Sequence, residues 1–314
     1  MRCLGINISH EASIALFEDG KLINLWYEDR YNFQKHWQPN KDNSYFLSLL
    51  KNIDFKPDFV CYASFDRRGS GEHTTDEEII KHLQNQLDNP PYFFSNNEHH
   101  LYHALCGKFF SPFNEAMSIV VDAGGAQTHK SSYQEVQSIF YVNNKIIKKL
   151  FCHYSCRDFI ELDGTVKNAY KESIIKWKHG VECIFSGRSV GGIEFNRVTD
   201  QLGFNGGKEA GKVMGLAAYA HGKKKYNLDY EKVRQAQELQ KETFEQTCKL
   251  IEKAHAYKNL NNFILSGGYF LNCTNNFKYV KQYPEFNFFV DPIAWDGGTG
   301  IGAHLYYHEY NKQH

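Results

Sequence analysis

The residues with the clearest chemical potential are two histidines, His99 and His103, four positions apart in the segment Glu98-His99-His100-Leu101-Tyr102-His103-Ala104. On an α-helix this spacing puts both imidazoles on one face, one turn apart. Two imidazoles so placed can bind one metal ion, as in helices with the HExxH motif. The chain has 15 histidines, so the pair alone fits a helix with two surface histidines equally well. A metal site requires further ligands from elsewhere in the chain.

One carboxylate is a candidate for such a ligand. Asp296 opens the glycine turn Asp296-Gly297-Gly298-Thr299-Gly300 before a predicted helix. A second glycine turn, Ser266-Gly267-Gly268, follows an apolar segment. A strand that passes through glycines into a helix directs backbone N–H groups at an anion. We therefore expect Asp296 to meet a metal or a phosphate.

Composition describes an ordinary globular chain. Of the 314 residues, 42% are hydrophobic and 23% charged, and 36 basic residues balance 36 acidic ones. With zero net charge, no global field draws the chain to nucleic acid or to a membrane. The eight cysteines lack CxxC spacing and the N-terminus lacks a secretory apolar stretch. We therefore expect a reduced, cytoplasmic protein without membrane association.

The element pattern occurs twice. Residues 3–27 predict three strands, with a polar first turn at Ser9-His10-Glu11 and a hairpin turn at Asp19-Gly20. From Met117 the order returns: strand, glycine turn, and two further strands. This duplication predicts an α/β fold of two ribonuclease-H-like lobes, the plan of the actin, sugar-kinase and Hsp70 (ASKHA) superfamily, with nucleotide bound in the cleft between lobes. The predicted lobes are residues 1–115 and 116–314, the second with an insertion near 152–187.

Helices are predicted between and after these strands. Their ranges are 42–53, a helix from a Thr74/Glu77 capping box to about Leu87, 97–110 with the histidine pair, and 228–258. The glycine-rich run 207–219 opens another helix. It lacks the spacing of a P-loop, but its Lys212 is included among the candidate nucleotide contacts.

Taken together, the motifs resemble the O-carbamoyltransferases of the NodU/CmcH type, whose catalytic part is similar to the tRNA threonylcarbamoyl-transfer proteins. The resemblance runs in the family's order over nearly the whole chain. The matching stretches are Leu4-Gly5-Ile6-Asn7 with His10 and Ala12-Ser13, Glu28-Asp29-Arg30 with Lys35-His36, His99–Ala104, Ser111-Pro112-Phe113 leading to Val121-Asp122, Gly211–Ala217, Ser266-Gly267-Gly268 with Leu271-Asn272-Cys273, and Asp296–Thr299.

The resemblance implies individual roles. It implies that His10 and Lys35 lie beside the carbamoyl group, and that His10 is the base for the acceptor hydroxyl. It implies an Fe²⁺ or Zn²⁺ ion and a nucleotide donor. The remaining residues are the metal ligands His99, His103, Asp122 and Asp296, and the nucleotide contacts Gly267, Gly268, Asn272 and Lys212.

The chain departs from the family in its length, at Ala218-Tyr219-Ala220 and in the unusual insertion near 152–187. The usual member is nearly twice as long, and its additional YrdC-like domain makes carbamoyl-adenylate from carbamoyl phosphate and ATP. We therefore expect a separate YrdC-like partner to supply the donor. The second departure is Ala218-Tyr219-Ala220, where the family usually has Pro-Tyr-Gly.

Three functions fit this reading. The first is metal-dependent O-carbamoyl transfer, from carbamoyl-adenylate or from carbamoyl phosphate with ATP, to a hydroxyl. The second is a non-catalytic nucleotide-binding subunit of a carbamoylation or tRNA-modification complex, which would not need the histidine and aspartate set. The third is an ATP-dependent sugar kinase. The histidine pair argues against the kinase, because such kinases use a catalytic carboxylate and phosphate-bound magnesium.

The sequence does not decide between two classes of hydroxyl acceptor. A chain rich in Asn, Lys, Tyr and Phe is typical of AT-rich coding and fits a phage genome, where a hydroxymethyl pyrimidine in DNA offers the hydroxyl. The alternative is a sugar or small metabolite, bound by an insertion that carries Tyr170 and Trp177. Zero net charge weakens the DNA reading. The local basic clusters are Arg67-Arg68, Lys145 with Lys148-Lys149, and Lys223-Lys224-Lys225.

Overall fold

The computed structural model describes residues 1–39, 47–64, 75–95, 97–126, 134–155, 159–160, 166–167, 174–186, 190–221 and 227–310. Among these residues, none of the helices has both the length and the apolar character that crossing a bilayer requires.

The first lobe is built on a five-stranded sheet. Its elements are β1 (Arg2–Asn7), β2 (Ser13–Glu18), β3 (Lys21–Tyr27), α1 (Asp29–Asn32), a 3-10 turn (Ser48–Asn52), β4 (Phe59–Ala63), α2 (Asp76–Gln86) and β5 (Tyr92–Phe94). The strand order is β3-β2-β1-β4-β5. The strands β1, β2 and β3 pair antiparallel, whereas β4 and β5 are parallel to β1.

The second lobe repeats this sheet and extends it. Helix α3 (His99–Phe110) leads from the first half of the chain into this lobe. The elements that follow are β6 (Glu115–Val121), β7 (Gln134–Asn143), β8 (Ile147–Ser155), β9 (Phe159–Ile160), β10 (Val166–Lys167), β11 (Ile174–Lys178), β12 (Val181–Ser186), α4 (Gly191–Gln201), α5 (Gly206–Ala217), α6 (Tyr230–Lys258), β13 (Asn262–Ser266), α7 (Cys273–Gln282), β14 (Asn287–Val290) and α8 (Thr299–Leu305), which continues as a π-turn (Tyr306–Tyr310).

Strand order and direction confirm the duplication. The second sheet runs β11-β12-β8-β7-β6-β13-β14. Within it, β8-β7-β6-β13-β14 has the order of the first sheet, with β6, β7 and β8 antiparallel and with β13 and β14 parallel to β6. The predicted fold class, a duplicated α/β architecture of the ASKHA type, is therefore correct.

Several predicted elements differ in the structure. Strand β12 pairs in parallel with β8 and antiparallel with β11, so part of the predicted insertion near 152–187 extends the main sheet. Tyr170 lies outside the described residues. Of the helix predicted at 42–53, the described part forms only the 3-10 turn Ser48–Asn52. The capping box uses Thr75 and Glu78, because the run Thr-Thr-Asp-Glu-Glu offers the same motif in two registers.

The helices α3 and α8 pack against each other between the sheets. α3 contacts β6 and β13 of the second sheet, and α8 contacts β1 and β4 of the first. Glycines permit these close approaches. A Cβ atom on Gly302 would lie 2.0 Å from the Tyr102 carbonyl oxygen, and one on Gly5 would lie 2.2 Å from the Gly300 oxygen. These two helices therefore place residues from both halves of the chain side by side.

Candidate metal centre and adjoining cleft

The histidine pair lies on α3 at the junction of the two lobes. His99 and His103 are fully buried, and their rings meet edge to face with centroids 4.7 Å apart. Their Nε2 atoms are separated by 3.2 Å and point into one space. The i, i+4 spacing therefore has the geometric result expected from the sequence.

Two carboxylates from other elements close this space. The His99 Nε2 atom lies 3.2 Å from Asp122 Oδ2 and 3.5 Å from Asp296 Oδ1. The His103 Nε2 atom lies 3.5 Å and 3.4 Å from the same two oxygens. Asp122 follows β6 and Asp296 precedes α8, so the four ligand atoms come from three separate elements.

Neighbouring groups fix the orientation of each carboxylate. The Ala123 backbone N–H donates to Asp122 Oδ1 at 2.8 Å, which leaves Oδ2 facing the histidines. On Asp296, Oδ2 accepts from the Ser9 hydroxyl at 3.3 Å and faces His10 Nε2 at 3.3 Å. Partners that hold metal-binding carboxylates in place are a regular feature of metal sites.

The electrostatics of the cluster favour positive charge. Although burial opposes protonation, the Asp296 and Asp122 carboxylates raise the pKa of His99 to about 10 and also raise the pKa of His103. Burial would raise the pKa values of the two carboxyl groups, but the surrounding histidines hold both below the usual range. Two protonated imidazoles would direct N–H groups at each other across 3.2 Å. A single cation satisfies all four ligand atoms without that conflict.

The separations fit a first-row metal. Ligands about 2.0–2.1 Å from a tetrahedral centre are about 3.3–3.4 Å from one another. The five separations above fall between 3.2 and 3.5 Å. Mixed imidazole and carboxylate ligands suit zinc or iron. The residues present therefore fit the ion that the resemblance implies.

The cluster forms part of the wall of a cavity of about 570 Å³ between the lobes. Most of the residues singled out from the sequence line this cavity. They are His10, Lys35, Asp122, Gly268, Asn272 and Asp296. Gly267 has a φ of +94°, and a Cβ there would lie 2.3 Å from the Val121 carbonyl oxygen, so this glycine lets the β13 turn approach β6.

Lys212 is placed differently from these residues. It is not among the residues that line the cavity. Its ammonium group pairs with Glu209 on the same helix, and its side chain is 60% exposed. Helix α5 instead contributes Gly207, Lys208 and Gly211 to the cavity.

Two cavity residues already have internal partners. The Lys35 ammonium donates to the Lys208 carbonyl oxygen and so connects the first lobe to α5. The Asn272 side chain accepts from the Asn275 N–H, which caps α7, and its Nδ2 donates to Gln240 at 2.7 Å. Asn272 therefore holds the start of α7 at the edge of the cavity.

The sequence reading assigned no role to Glu11 and His36, which also line the cavity. The His36 Nδ1 atom lies 3.1 Å from Glu11 Oε1. Both residues have left-handed backbones, with φ of 58° and 57°, a conformation that costs energy outside glycine and is concentrated at functional sites. Asp29 accepts the His36 and Trp37 N–H groups and holds this loop. The sequence feature that could have indicated His36 is the motif Lys35-His36.

Helix α4 is a further part of the site that the sequence reading omitted. Its first residues, Gly191 and Gly192, pack against the turn at Asp122, where a Cβ on Gly192 would lie 2.7 Å from the Ala123 nitrogen. The sequence feature that could have indicated this part of the site is a glycine pair before an apolar helical segment, as at Gly267-Gly268.

Comparison with known proteins places the fold but no specific family. No family model matches the sequence. Two uncharacterized proteins of Methanocaldococcus jannaschii are similar to it. One is 24% identical over 96% of this chain and 56% of its own length, and the other is 26% identical over 66% and 36%. The chain thus spans about half the length of the first relative and about a third of the second.

Solved structures share the architecture. Full-length HypF in a phosphate- and nucleotide-bound form has a TM-score of 0.56 at 12% identity, over 96% of this chain and 54% of HypF. HypF of T. kodakarensis has a TM-score of 0.55 at 10% identity, over 97% and 47%. The ROK hexokinase of Thermus thermophilus has a TM-score of 0.50 at 10% identity, over 97% and 99%. These likenesses establish the common fold of the two lobes.

Proposed function

We propose that the chain is a metal-dependent O-carbamoyltransferase that moves a carbamoyl group from carbamoyl-adenylate, or from carbamoyl phosphate with ATP, to a hydroxyl acceptor. The observation that carries the proposal is the convergence of His99, His103, Asp122 and Asp296 on one point in the wall of the cleft. A subunit that only binds nucleotide has no need for four buried ligands. The likeness to HypF with bound phosphate and nucleotide supports the proposal at the level of the fold.

The reaction needs an activated carbonyl and a base. Held by the four ligands, an Fe²⁺ or Zn²⁺ ion that accepts a further ligand would supply Lewis-acid polarisation of the donor carbonyl. We assign the base to His10, whose Nε2 faces Asp296 and whose neutral imidazole takes the proton of the acceptor hydroxyl as its oxygen attacks the carbonyl carbon. Although burial opposes protonation, the Asp296 and Glu11 carboxylates raise the pKa of His10 to about 9, and a cation bound to Asp296 would lower it towards neutrality. The bond to the donor phosphate oxygen then breaks, and Lys35 balances negative charge at the reacting group.

The nucleotide part of the donor is assigned to the second lobe. The turn at Gly267-Gly268 brings backbone close to the cavity, and α7 begins beyond it at Cys273. Backbone N–H groups at such a turn suit phosphate. We propose that a separate YrdC-like protein is the source of carbamoyl-adenylate for this site.

The test is a transfer assay with purified protein, carbamoyl-adenylate and a panel of hydroxyl acceptors, read by mass spectrometry. Transfer that is lost in His10→Ala and after metal chelation, and restored by adding Fe²⁺ or Zn²⁺ to the chelated protein, is the expected result. Tight nucleotide binding without transfer to any acceptor would favour the alternative, a non-catalytic nucleotide-binding subunit. Phosphorylation of sugars with ATP would favour a kinase.

The acceptor proposal has two versions, a hydroxymethyl pyrimidine in phage-type DNA and a small metabolite or sugar. Of the basic clusters that could contact DNA, Lys149 is committed to the buried Glu135 at 2.8 Å, whereas Arg67-Arg68 and Lys223–Lys225 lie outside the described residues. The deciding measurement is nucleoside mass spectrometry after incubation with hydroxymethylcytosine DNA. An unmodified nucleoside, together with a carbamoylated sugar in a parallel assay, would end the DNA version.

A further inference from the structure

A second group of metal-ligating side chains lies where α8 and its π-turn pack on β1. Cys3 on β1 and His304 on α8 are buried, 1% and 3% exposed, and His308 on the π-turn is half-buried. One ligand atom from each residue lies within 4.8 Å of the others. The two imidazole centroids are 4.4 Å apart. This i, i+4 histidine pair repeats the arrangement of the pair on α3.

The surroundings of the group are apolar. The His304 ring stacks on Phe17 with centroids 3.7 Å apart and planes inclined by 12°. Cys3, Phe17, Leu305 and Tyr310 belong to one hydrophobic cluster. Within the described part of the chain, the buried Nδ1 atom of His304 has no hydrogen-bond partner. An unsatisfied polar atom in such a place costs free energy that a ligand can recover.

The local backbone gives an independent reason to look for a ligand. Residues Tyr306–Tyr310 form a π-turn directly after α8. A π-turn weakens the regular helical hydrogen bonding and is found frequently at functional sites. Here it carries His308, one turn after His304, back to the same side as Cys3.

We propose that Cys3, His304 and His308 form a second metal site, for Zn²⁺, which fastens α8 to β1. One thiolate and two imidazoles are a ligand set that zinc prefers, and a fourth position is left for a small ligand. Ligand atoms of tetrahedral zinc are about 3.3–3.7 Å apart, so the three side chains must approach one another by roughly 1 Å to bind the ion. The half-buried His308 is the member that can make this movement.

Coordination requires the thiolate form of Cys3. Zinc binding therefore displaces the thiol proton, which leaves to solvent as the Zn–S bond forms.

The experiment compares metal content and cobalt spectra of the full chain. After loading with Zn²⁺ and dialysis, the wild-type protein should retain two ions per chain. The double variants Cys3→Ser/His308→Gln and His99→Ala/His103→Ala should each retain one ion, from opposite sites. Loaded with Co²⁺, the wild type should show a thiolate-to-cobalt charge-transfer band in the near ultraviolet, and so should the His99→Ala/His103→Ala variant.

The control is Cys61→Ser, which removes a second buried thiol on the neighbouring strand β4 and should keep both the band and two ions. A wild-type cobalt spectrum without the thiolate band would overturn the proposal, and this measurement depends on no variant. So would a band that persists in Cys3→Ser, or unchanged zinc content in the half-buried single variant His308→Gln. None of these results depends on carbamoyl transfer.

Discussion

Asp296 divides its two oxygens between two sets of side chains. Oδ1 faces the imidazoles of His99 and His103, and Oδ2 faces Ser9 and His10. The same carboxylate thus belongs to the proposed metal ligands and orients the residue that we assign as the base. Substitutions around it should separate loss of metal from loss of orientation.

Replacement of a ligand should remove the ion. In His103→Ala one of four converging ligand atoms is lost, so we expect the metal content after dialysis to fall by one ion per chain, measured by elemental analysis. The matched control is His179→Asn, which changes an exposed histidine at a turn with positive φ that asparagine tolerates. Equal metal content in His103→Ala and the control would show that His103 does not bind a metal ion.

Replacement of a supporting group should weaken the site without abolishing it. Ser9→Ala removes the hydroxyl that donates to Asn7 Oδ1 at 2.6 Å and to Asp296 Oδ2 at 3.3 Å. Loss of such a partner typically costs 10- to 100-fold in affinity, and we expect about 10-fold in a chelator competition. Ser111→Ala, at the end of α3, is the control. A Ser9→Ala affinity within error of wild type would show that Asp296 is held by its backbone alone.

Residue patterns predicted the histidine pair and Asp296 as candidate ligands, because helical spacing and position at a strand-to-helix turn are local properties. Asp122 was included only through the family resemblance. Glu11 and His36 could not be found in this way. Their contact depends on two left-handed residues in separate loops, and nothing in a single sequence specifies that these loops meet.

At the scale of elements, the close contact between α3 and α8 is the most demanding packing in the molecule. A Cβ on Gly302 would lie 2.0 Å from a backbone oxygen of α3, which cannot move aside. Gly302→Ala should therefore lower the free energy of unfolding by about 3 kcal/mol, measured by urea denaturation.

The control for this prediction is a glycine in an open helix. A Cβ on Gly215 in α5 would meet nothing within 4 Å. Gly215→Ala should therefore raise stability by about 0.5–1 kcal/mol, because alanine loses less backbone entropy in a helix. Equal effects of the two substitutions would contradict the packing described for α8.

A buried histidine in the second sheet should make stability depend on pH. His153 on β8 contacts Gln137 at 3.2 Å and Ser186 at 2.6 Å, and burial lowers its pKa to about 4. The unfolded chain binds a proton near pH 6.5, so this site loses stability as pH falls from about 6.5 to about 4. Between pH 7 and pH 5 the loss should be about 2 kcal/mol.

Urea denaturation of wild type and His153→Gln at the two pH values measures this contribution. The variant should lack it, so the difference in unfolding free energy between pH 7 and pH 5 should be smaller than in wild type by that amount. An identical pH dependence of both proteins would mean that His153 is protonated in the folded state.

Elements with strong periodicity were predictable, whereas the insertion was not. The helix at 230–258 agrees with the prediction because apolar residues recur along one face. The helix at 99–110 also agrees, although all its residues from His99 to Gly107 are buried. Strand β12 owes its position to pairing with β8, and that pairing is a tertiary contact without a local pattern. The overlapping capping motifs at Thr74 and Thr75 show how a register can be ambiguous even when the element is certain.

At the scale of the whole molecule, the two lobes share their central helices. Because α3 packs on the second sheet and α8 on the first, neither sheet is covered by its own half of the chain alone. We expect a single unfolding transition, with calorimetric and van't Hoff enthalpies in agreement. Two separated transitions, or different melting temperatures by tryptophan fluorescence and circular dichroism, would show that the lobes unfold independently.

The spread of the four ligands along the chain also has a consequence for synthesis. His99, His103 and Asp122 leave the ribosome long before Asp296, and domains tend to fold in the order in which they emerge. A nascent chain therefore offers only three of the four groups, and an ion taken up at that stage can exchange more easily than in the finished protein. Under the proposed metal site, stable retention of the ion then marks a chain whose translation has passed residue 296.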